Sequence, residues 1–142
     1  LISSNDILLL MYITMRALQN RRISFELIRV IFEMRLMLTE GEGLELFRCL
    51  RCGKEEVHSV YFSEGGLICR ECEAKDKKLS KEYPIVLSAD AKYTLQYILT
   101  STPEKLYAFT VTDSVLNELK RFMKSYLARY LPHKFKTLDF IV

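Results

Sequence analysis

The apolar positions of this chain fall into long stripes at its two ends and a short alternating stretch in the middle. Seven consecutive residues from Ile7 to Ile13 are apolar or aromatic, behind a run of cap-forming residues, Ser3-Ser4-Asn5-Asp6. Such a start predicts a helix reaching Leu18, and apolar side chains on nearly every side predict that it is buried within a bundle. Asn20-Arg21-Arg22 reads as a polar connection. Ser24 then caps a second predicted helix, in which Leu27, Ile28, Ile31, Met34 and Leu38 recur at steps of three and four. Gly41 and Gly43 end it, because glycine accepts the left-handed cap conformation.

The pattern changes at Phe47. Val57 to Phe62 is rich in β-branched and aromatic residues, Gly65-Gly66 reads as a turn, and Leu67-Ile68 supplies a second short strand. A charged connector, Glu73 to Lys81, leads to a third helix capped by Ser88 or Asp90. That helix offers Tyr93, Leu95, Ile98 and Leu99 for packing, and Thr100-Ser101-Thr102-Pro103 breaks it. The last helix starts at Thr112 or Asp113 and carries the clearest stripe: Leu116, Leu119, Phe122, Met123, Tyr126, Leu127 and Tyr130. Pro132 is expected to stop it. The predicted fold class is mainly α, a helical bundle with an inserted four-cysteine zinc ribbon built on a short β-hairpin. Residues 1–46 hold its first helices, 47–73 the ribbon and 74–142 the remaining helices of the same domain.

All four cysteines lie in the middle block, as Cys49-x-x-Cys52 and Cys69-x-x-Cys72 with sixteen residues between the pairs. Two residues between cysteines let one tight turn aim both sulfurs at one ion, and two such turns complete a tetrahedron. Gly53 permits the positive φ that the first turn needs. Four thiolates leave no coordination position for water or substrate, so the ion expected here is structural zinc. Iron of the rubredoxin kind has the same four-thiolate geometry, and spacing does not separate the two. Two disulfides, four unrelated thiols or a redox pair fit a pair of pairs less well. Zinc binding contributes on the order of 10 kcal/mol in isolated zinc fingers. The ribbon, with few apolar residues of its own, is expected to need it.

Composition narrows the remaining choices. The 142 residues are 49% hydrophobic and 27% charged, as in a globular domain with a core of its own. The longest apolar run is too short for a bilayer, which takes about 20 residues, and it lacks the basic flank and cleavage site of a signal peptide. A reducing compartment is therefore the expectation, and a first residue other than Met suggests that the chain begins inside a longer protein. The net charge is +3, and residues 84–142 contain 8 basic and 5 acidic side chains, which accounts for all of it. Lys120, Arg121, Lys124, Arg129, Lys134 and Lys136 stand in a stretch without an acid. Flanking an apolar stripe, they suit either a solvated helix face or an anionic partner, nucleic-acid phosphates or an acidic peptide. Tyr126 and Tyr130 have the spacing of core residues rather than of a base-stacking platform. His58 and His133 read as ordinary packing or surface histidines. No Ser–His–Asp grouping, phosphate-binding glycine loop or catalytic carboxylate pair can be assembled, so an enzyme is not expected.

These features in this order resemble the C-terminal, zinc-bearing helical domain of the RecO family of bacterial recombination mediators and DNA repair proteins. The likeness rests on Phe32-Glu33-Met34-Arg35-Leu36-Met37 followed by Gly41, on the ribbon with Cys52-Gly53 and Gly65-Gly66-Leu67-Ile68-Cys69, and on the ending Tyr126 to Phe140 with Lys134-Phe135-Lys136-Thr137. Glu42-Gly43-Leu44 lacks the aromatic and proline usual in the family, and Thr137 stands for its serine. The resemblance implies an N-terminal OB-fold domain outside this chain and a bacterial, cytoplasmic, nucleoid-associated setting. It also implies binding to DNA, mainly through that OB-fold, and to RecR and RecA. A further implied partner is the acidic, apolar-ended tail of single-stranded-DNA-binding protein, with no membrane and no small-molecule substrate. Such a tail needs a cationic rim beside an apolar groove. Arg29 and Arg35 are the rim candidates and Met34 the groove candidate, while the six C-terminal cations are candidates for DNA. The contrasting possibility is a zinc-ribbon adaptor from transcription or another system, although such ribbons more often stand at a chain terminus.

Overall fold

Three local signals set the frame of the structure, a computed structural model that describes residues 4–134. The Ser24 hydroxyl accepts from the Leu27 N–H at 3.2 Å and starts α2, Phe25–Thr39. Ser88 does the same for Ala91 at 3.1 Å and starts α4, Ala89–Thr100. Thr112 takes the Val115 N–H at 3.3 Å at the head of α5, Asp113–Lys134. Each hydroxyl satisfies an N–H that the first helical turn leaves without an intrahelical partner. At its other end α2 closes with Gly41 at φ 78°, the Gly41 N–H donating to Leu38 and the Glu42 N–H to Met37. That pairing is a Schellman cap, and it needs a residue at ease in the left-handed region.

Helix α2 is the hub. It packs against α1 (Ser4–Leu18), α4 and α5, and buries Leu27, Ile28, Val30, Ile31, Met34 and Met37. Helix α5 contributes Leu119, Phe122, Met123 and Tyr126, and α4 contributes Ala91, Leu95 and Ile98. Tyr93 of α4, expected to pack, is 69% exposed. Helix α5 also continues through Pro132 to Lys134 rather than stopping there. So near the helix end, a proline removes only the bond that its N–H would have given to Ala128.

The expectation for α1 is corrected. Leu10 and Ala17 are buried, but Leu8, Met11, Tyr12, Met15 and Leu18 on the opposite side are about half exposed or more. The helix has α2 on one flank, and Thr14 bonds to Tyr107 of the loop after α4 at 2.6 Å, with no helix on the other flank among the described residues. An unbroken apolar run fixes a helix, but how many faces it buries depends on its neighbours.

Between α2 and α4 lies the ribbon. Strand β1 (Ser59–Tyr61) is central, pairing antiparallel with β2 (Gly66–Leu67) and with β3 (Ile85–Val86). The third strand was not expected; two residues are too few to show a period. Part of the charged connector is ordered too, as α3 (Arg70–Ala74) and a 3-10 turn at Leu79–Lys81. The ribbon is keyed into the bundle by side chains. Lys92 of α4, 9% exposed, donates to the Glu55 carbonyl at 2.7 Å, and Gln96 one turn on donates to Leu46 at 2.8 Å. The Tyr126 hydroxyl donates to the Glu42 carbonyl, and its ring stacks on Phe62 with centroids 5.5 Å apart.

Gly65 and Gly66 make the hairpin possible for different reasons. Gly65 sits at φ 87°, in the left-handed region. At Gly66 a Cβ would come within 2.4 Å of the Glu45 carbonyl oxygen and 2.9 Å of its nitrogen. Glu45 itself holds that approach, its N–H donating to the Gly65 carbonyl at 2.9 Å and its carbonyl accepting from the Leu67 N–H at 3.0 Å. Gly66→Ala is therefore expected to lower stability by about 2 kcal/mol or more, since backbone cannot yield as a side chain does. Thermal denaturation followed by circular dichroism would measure it, and an unchanged midpoint would contradict this packing.

Candidate metal centre and helical groove

The first cysteine pair sits on a turn and the second at the head of α3. The Cys49 N–H donates to Lys54 at 2.8 Å and the Gly53 N–H returns to Cys49 at 3.0 Å, with Gly53 at φ 80°. The turn is tied to the hairpin through the Leu50 N–H and the Leu67 carbonyl, 2.8 Å apart. Cys69 follows β2 as the N-cap residue of α3, which places Cys72 in its first turn. Arg51, between the first two cysteines, bridges Glu64 at the hairpin turn (2.6 Å) and Asp76 beyond α3 (2.7 Å). The guanidinium of Arg51 and the Lys78 N–H hold the Asp76 carboxyl below its usual range.

All four sulfurs lie within 4.8 Å of one another, and no other group of potential ligands of this kind exists among the described residues. Cys52 and Cys69 approach to 3.6 Å. A tetrahedron with zinc–sulfur bonds of 2.3 Å has edges of about 3.8 Å, whereas a disulfide brings its sulfurs to about 2.05 Å. The thiols are free and spaced to hold an ion. Burial opposes ionisation of Cys49, yet N–H groups of Cys52, Arg51 and Cys69 pointing at its sulfur bring its pKa down to about 6. Cys72 is pushed up to about 12 by hydrogen bonding to the Cys69 sulfur, by burial and by its other thiol neighbours. Four thiols this close cannot all ionise unaided, and a cation among them removes the conflict. His58, half-buried at the start of the sheet, stands outside the cluster.

The other site candidates divide into three places. Met34 is 1% exposed and belongs to the core. Arg35 is half-buried and donates to the carbonyls of Ile98 (3.2 Å) and Ser101 (2.8 Å), so it closes the C-terminal end of α4. Arg29 points the other way, into a groove of 720 Å³ between α2 and α5. Phe25, Val30, Met123 and Leu127 line its apolar floor, and Arg29, Lys120, Arg121 and Lys124 its edges. Two acids share it. Glu26 pairs with Lys120, and Glu33 lies 3.5 Å from Arg29 one turn back. Burial raises the Glu33 pKa, with Arg29 offsetting part of the rise. Arg129 stands apart, beside Gly43, Phe62 and Tyr130 in a second hollow of 500 Å³. Lys134 ends α5, and Lys136 lies outside the described residues.

Spacing did not reveal this groove, because Arg29 and Lys120 are about ninety residues apart in the chain. A local signal existed, however: Phe25 and Arg29 share one helix face, as do Lys120, Lys124 and Ala128.

Comparison with known proteins places these features in context. The family model for the C-terminal part of recombination protein O matches residues 4–139. DNA repair protein RecO of Acetivibrio thermocellus is 34% identical over 122 residues, which cover 84% of this chain and 46% of that protein. The RecO proteins of Alkaliphilus metalliredigens (28% over 120 residues, 83% and 47%) and Caldicellulosiruptor bescii (25% over 117 residues, 81% and 45%) are also similar. The chain spans about half the length of the curated relatives it matches. No solved structure matches it.

Native mass spectrometry is expected to show one metal ion per chain, lost when Cys49 and Cys72 are both replaced by Ser. A metal-free mass for the natural sequence would contradict the site.

Proposed function

Since this chain belongs to the RecO C-terminal family, we propose that it is the helical, metal-bearing part of a non-catalytic recombination mediator in DNA repair. Residues 1–46 and 74–142 act as one helical domain, and residues 47–73 form the ribbon inserted in it. The ion is zinc and its role is structural, because four thiolates close its coordination sphere. The setting is the bacterial cytoplasm, as the bacterial RecO relatives lead us to expect; no helix among the described residues is long and apolar enough to cross a membrane.

The single observation that carries the reading is the α2–α5 groove, where four cations and two acids line the same hollow as Phe25, Val30, Met123 and Leu127. That chemistry fits an acidic peptide with an apolar end, the character of the tail of single-stranded-DNA-binding protein. Apolar burial supplies affinity, while the cations supply orientation and salt dependence. Rim and groove are then Arg29, Lys120, Arg121 and Lys124 around Phe25, Met123 and Leu127, in place of Arg35 and Met34. In the bundle, Arg35 holds α4 and Met34 fills the core. Capture of the tail would bring the mediator to coated single strands, where RecR and RecA act with it. DNA contact is secondary here and uses the exposed cations of α5, Arg129 among them.

Fluorescence anisotropy with a labelled acidic peptide ending in phenylalanine tests the reading. Binding should weaken with salt, and Arg29→Ala, Arg121→Ala or Lys124→Ala should each cost about three- to tenfold in affinity at low salt. Arg35→Ala should instead lower the melting temperature. Unchanged affinity in the three groove variants would move the site elsewhere. Duplex or single-stranded DNA should bind more weakly, with a steep salt slope.

A further inference from the structure

Two of the groove's four cations already hold a carboxylate. Glu26, in the first turn of α2, reaches across to Lys120 of α5, and Glu33 sits against Arg29 one turn along the same helix. Both acids line the groove, so both ion pairs lie where an incoming ligand would lie. Arg121 and Lys124 are exposed and, among the described residues, in no ion pair. The arrangement is asymmetric: two cations are neutralised in place and two are open to solvent.

We propose that Glu26 and Glu33 are built-in competitors of the groove's ligand. They occupy Lys120 and Arg29 in the free protein and set the stringency with which acidic peptides are accepted. A carboxylate near Arg121 and Lys124 meets two unpaired cations and is attracted. To gain Lys120 and Arg29 as well, a peptide must displace two carboxylates already in position, whose local concentration on the same helix is high. A ligand with one acidic group gains little from that exchange. One with several close carboxylates and an apolar end replaces both pairs and fills the floor at the same time. The acids thus limit how much each further carboxylate adds to affinity, a device of specificity by internal opposition. The alternative, that Glu26–Lys120 only ties α2 to α5 and Glu33–Arg29 only supports α2, predicts equal or weaker binding when either acid is lost. Surface pairs of this kind contribute little to stability.

The inference rests on the groove reading above, and the experiment separates the two. The labelled acidic peptide ending in phenylalanine is titrated into the natural protein, Glu26→Gln, Glu33→Gln and the double variant, with Arg121→Ala as a reference. A second peptide carries one acidic residue and the same ending. Glutamine keeps the volume and removes the charge. Each single change should tighten the multi-acidic peptide about threefold and the pair about tenfold at low salt, with the gain shrinking above about 0.5 M as screening grows. The mono-acidic peptide, already served by Arg121 and Lys124, should gain less, so that discrimination between the two widens. Equal or weaker binding by the glutamine variants, with Arg121→Ala still weakening it, overturns the inference and leaves the groove reading intact. No binding by any form overturns both. Melting curves confirm folding, and Glu26→Gln alone, at a side chain 54% exposed, provides a variant whose fold should not change.

Discussion

Four sulfur atoms from two turns, brought within 4.8 Å of one another, are the constraint on which the middle of this molecule depends. The sheet around them has three strands of two or three residues, too short to be stable alone. The ribbon borrows its order from two sources. One is the cysteine cluster, where sulfurs from both pairs converge. The other is the bundle, which reaches into ribbon and loop carbonyls with Lys92, Gln96 and Tyr126. A nearly buried ammonium on a single backbone oxygen is costly unless the oxygen is held in place. The turn that positions Glu55 is therefore part of the bundle's own stability.

Helix α2 carries the consequences outward. Its inner face is core, one edge ties down α4 through Arg35, and the other edge faces α5 across an apolar trough. Phe25 at its first position and Glu26 beside it open the trough toward solvent. An exposed phenylalanine thus shares one hollow with four cations and two acids. Family membership gives that surface a biological frame, while the groove's particular chemistry is a property of this sequence.

Much of this was legible beforehand wherever the cause was local. Ser24, Ser88 and Thr112 cap helices through bonds to their own third residue onward, and Gly41 ends α2 through its own backbone, so short windows sufficed. The Cys-x-x-Cys spacing encodes a turn in the same way, and the family resemblance joined these parts in order. What stayed hidden was set by distant neighbours. The run Ile7 to Ile13 reads the same whether one face or all faces are covered, and only α2 and Tyr107 decide it. Met34 and Arg35 are adjacent on the helix, but the position of α4 makes one core and the other a cap. Strand β3 takes its form from pairing with β1, since Ile85 and Val86 show no pattern alone. The groove needed α5 laid beside α2 before Arg29 and Lys120 became neighbours.

The central claim is that metal site and bundle form one cooperative unit, with the helices relying on the ribbon as much as the ribbon on them. Hydrogen–deuterium exchange on the metal-loaded protein, before and after removal of the ion by a chelator, tests it most directly. The account predicts that protection falls in the ribbon and also along α4, where Lys92 and Gln96 lose fixed partners, while α1 changes little. Loss of protection confined to residues 47–73, with α4 unchanged, would contradict it.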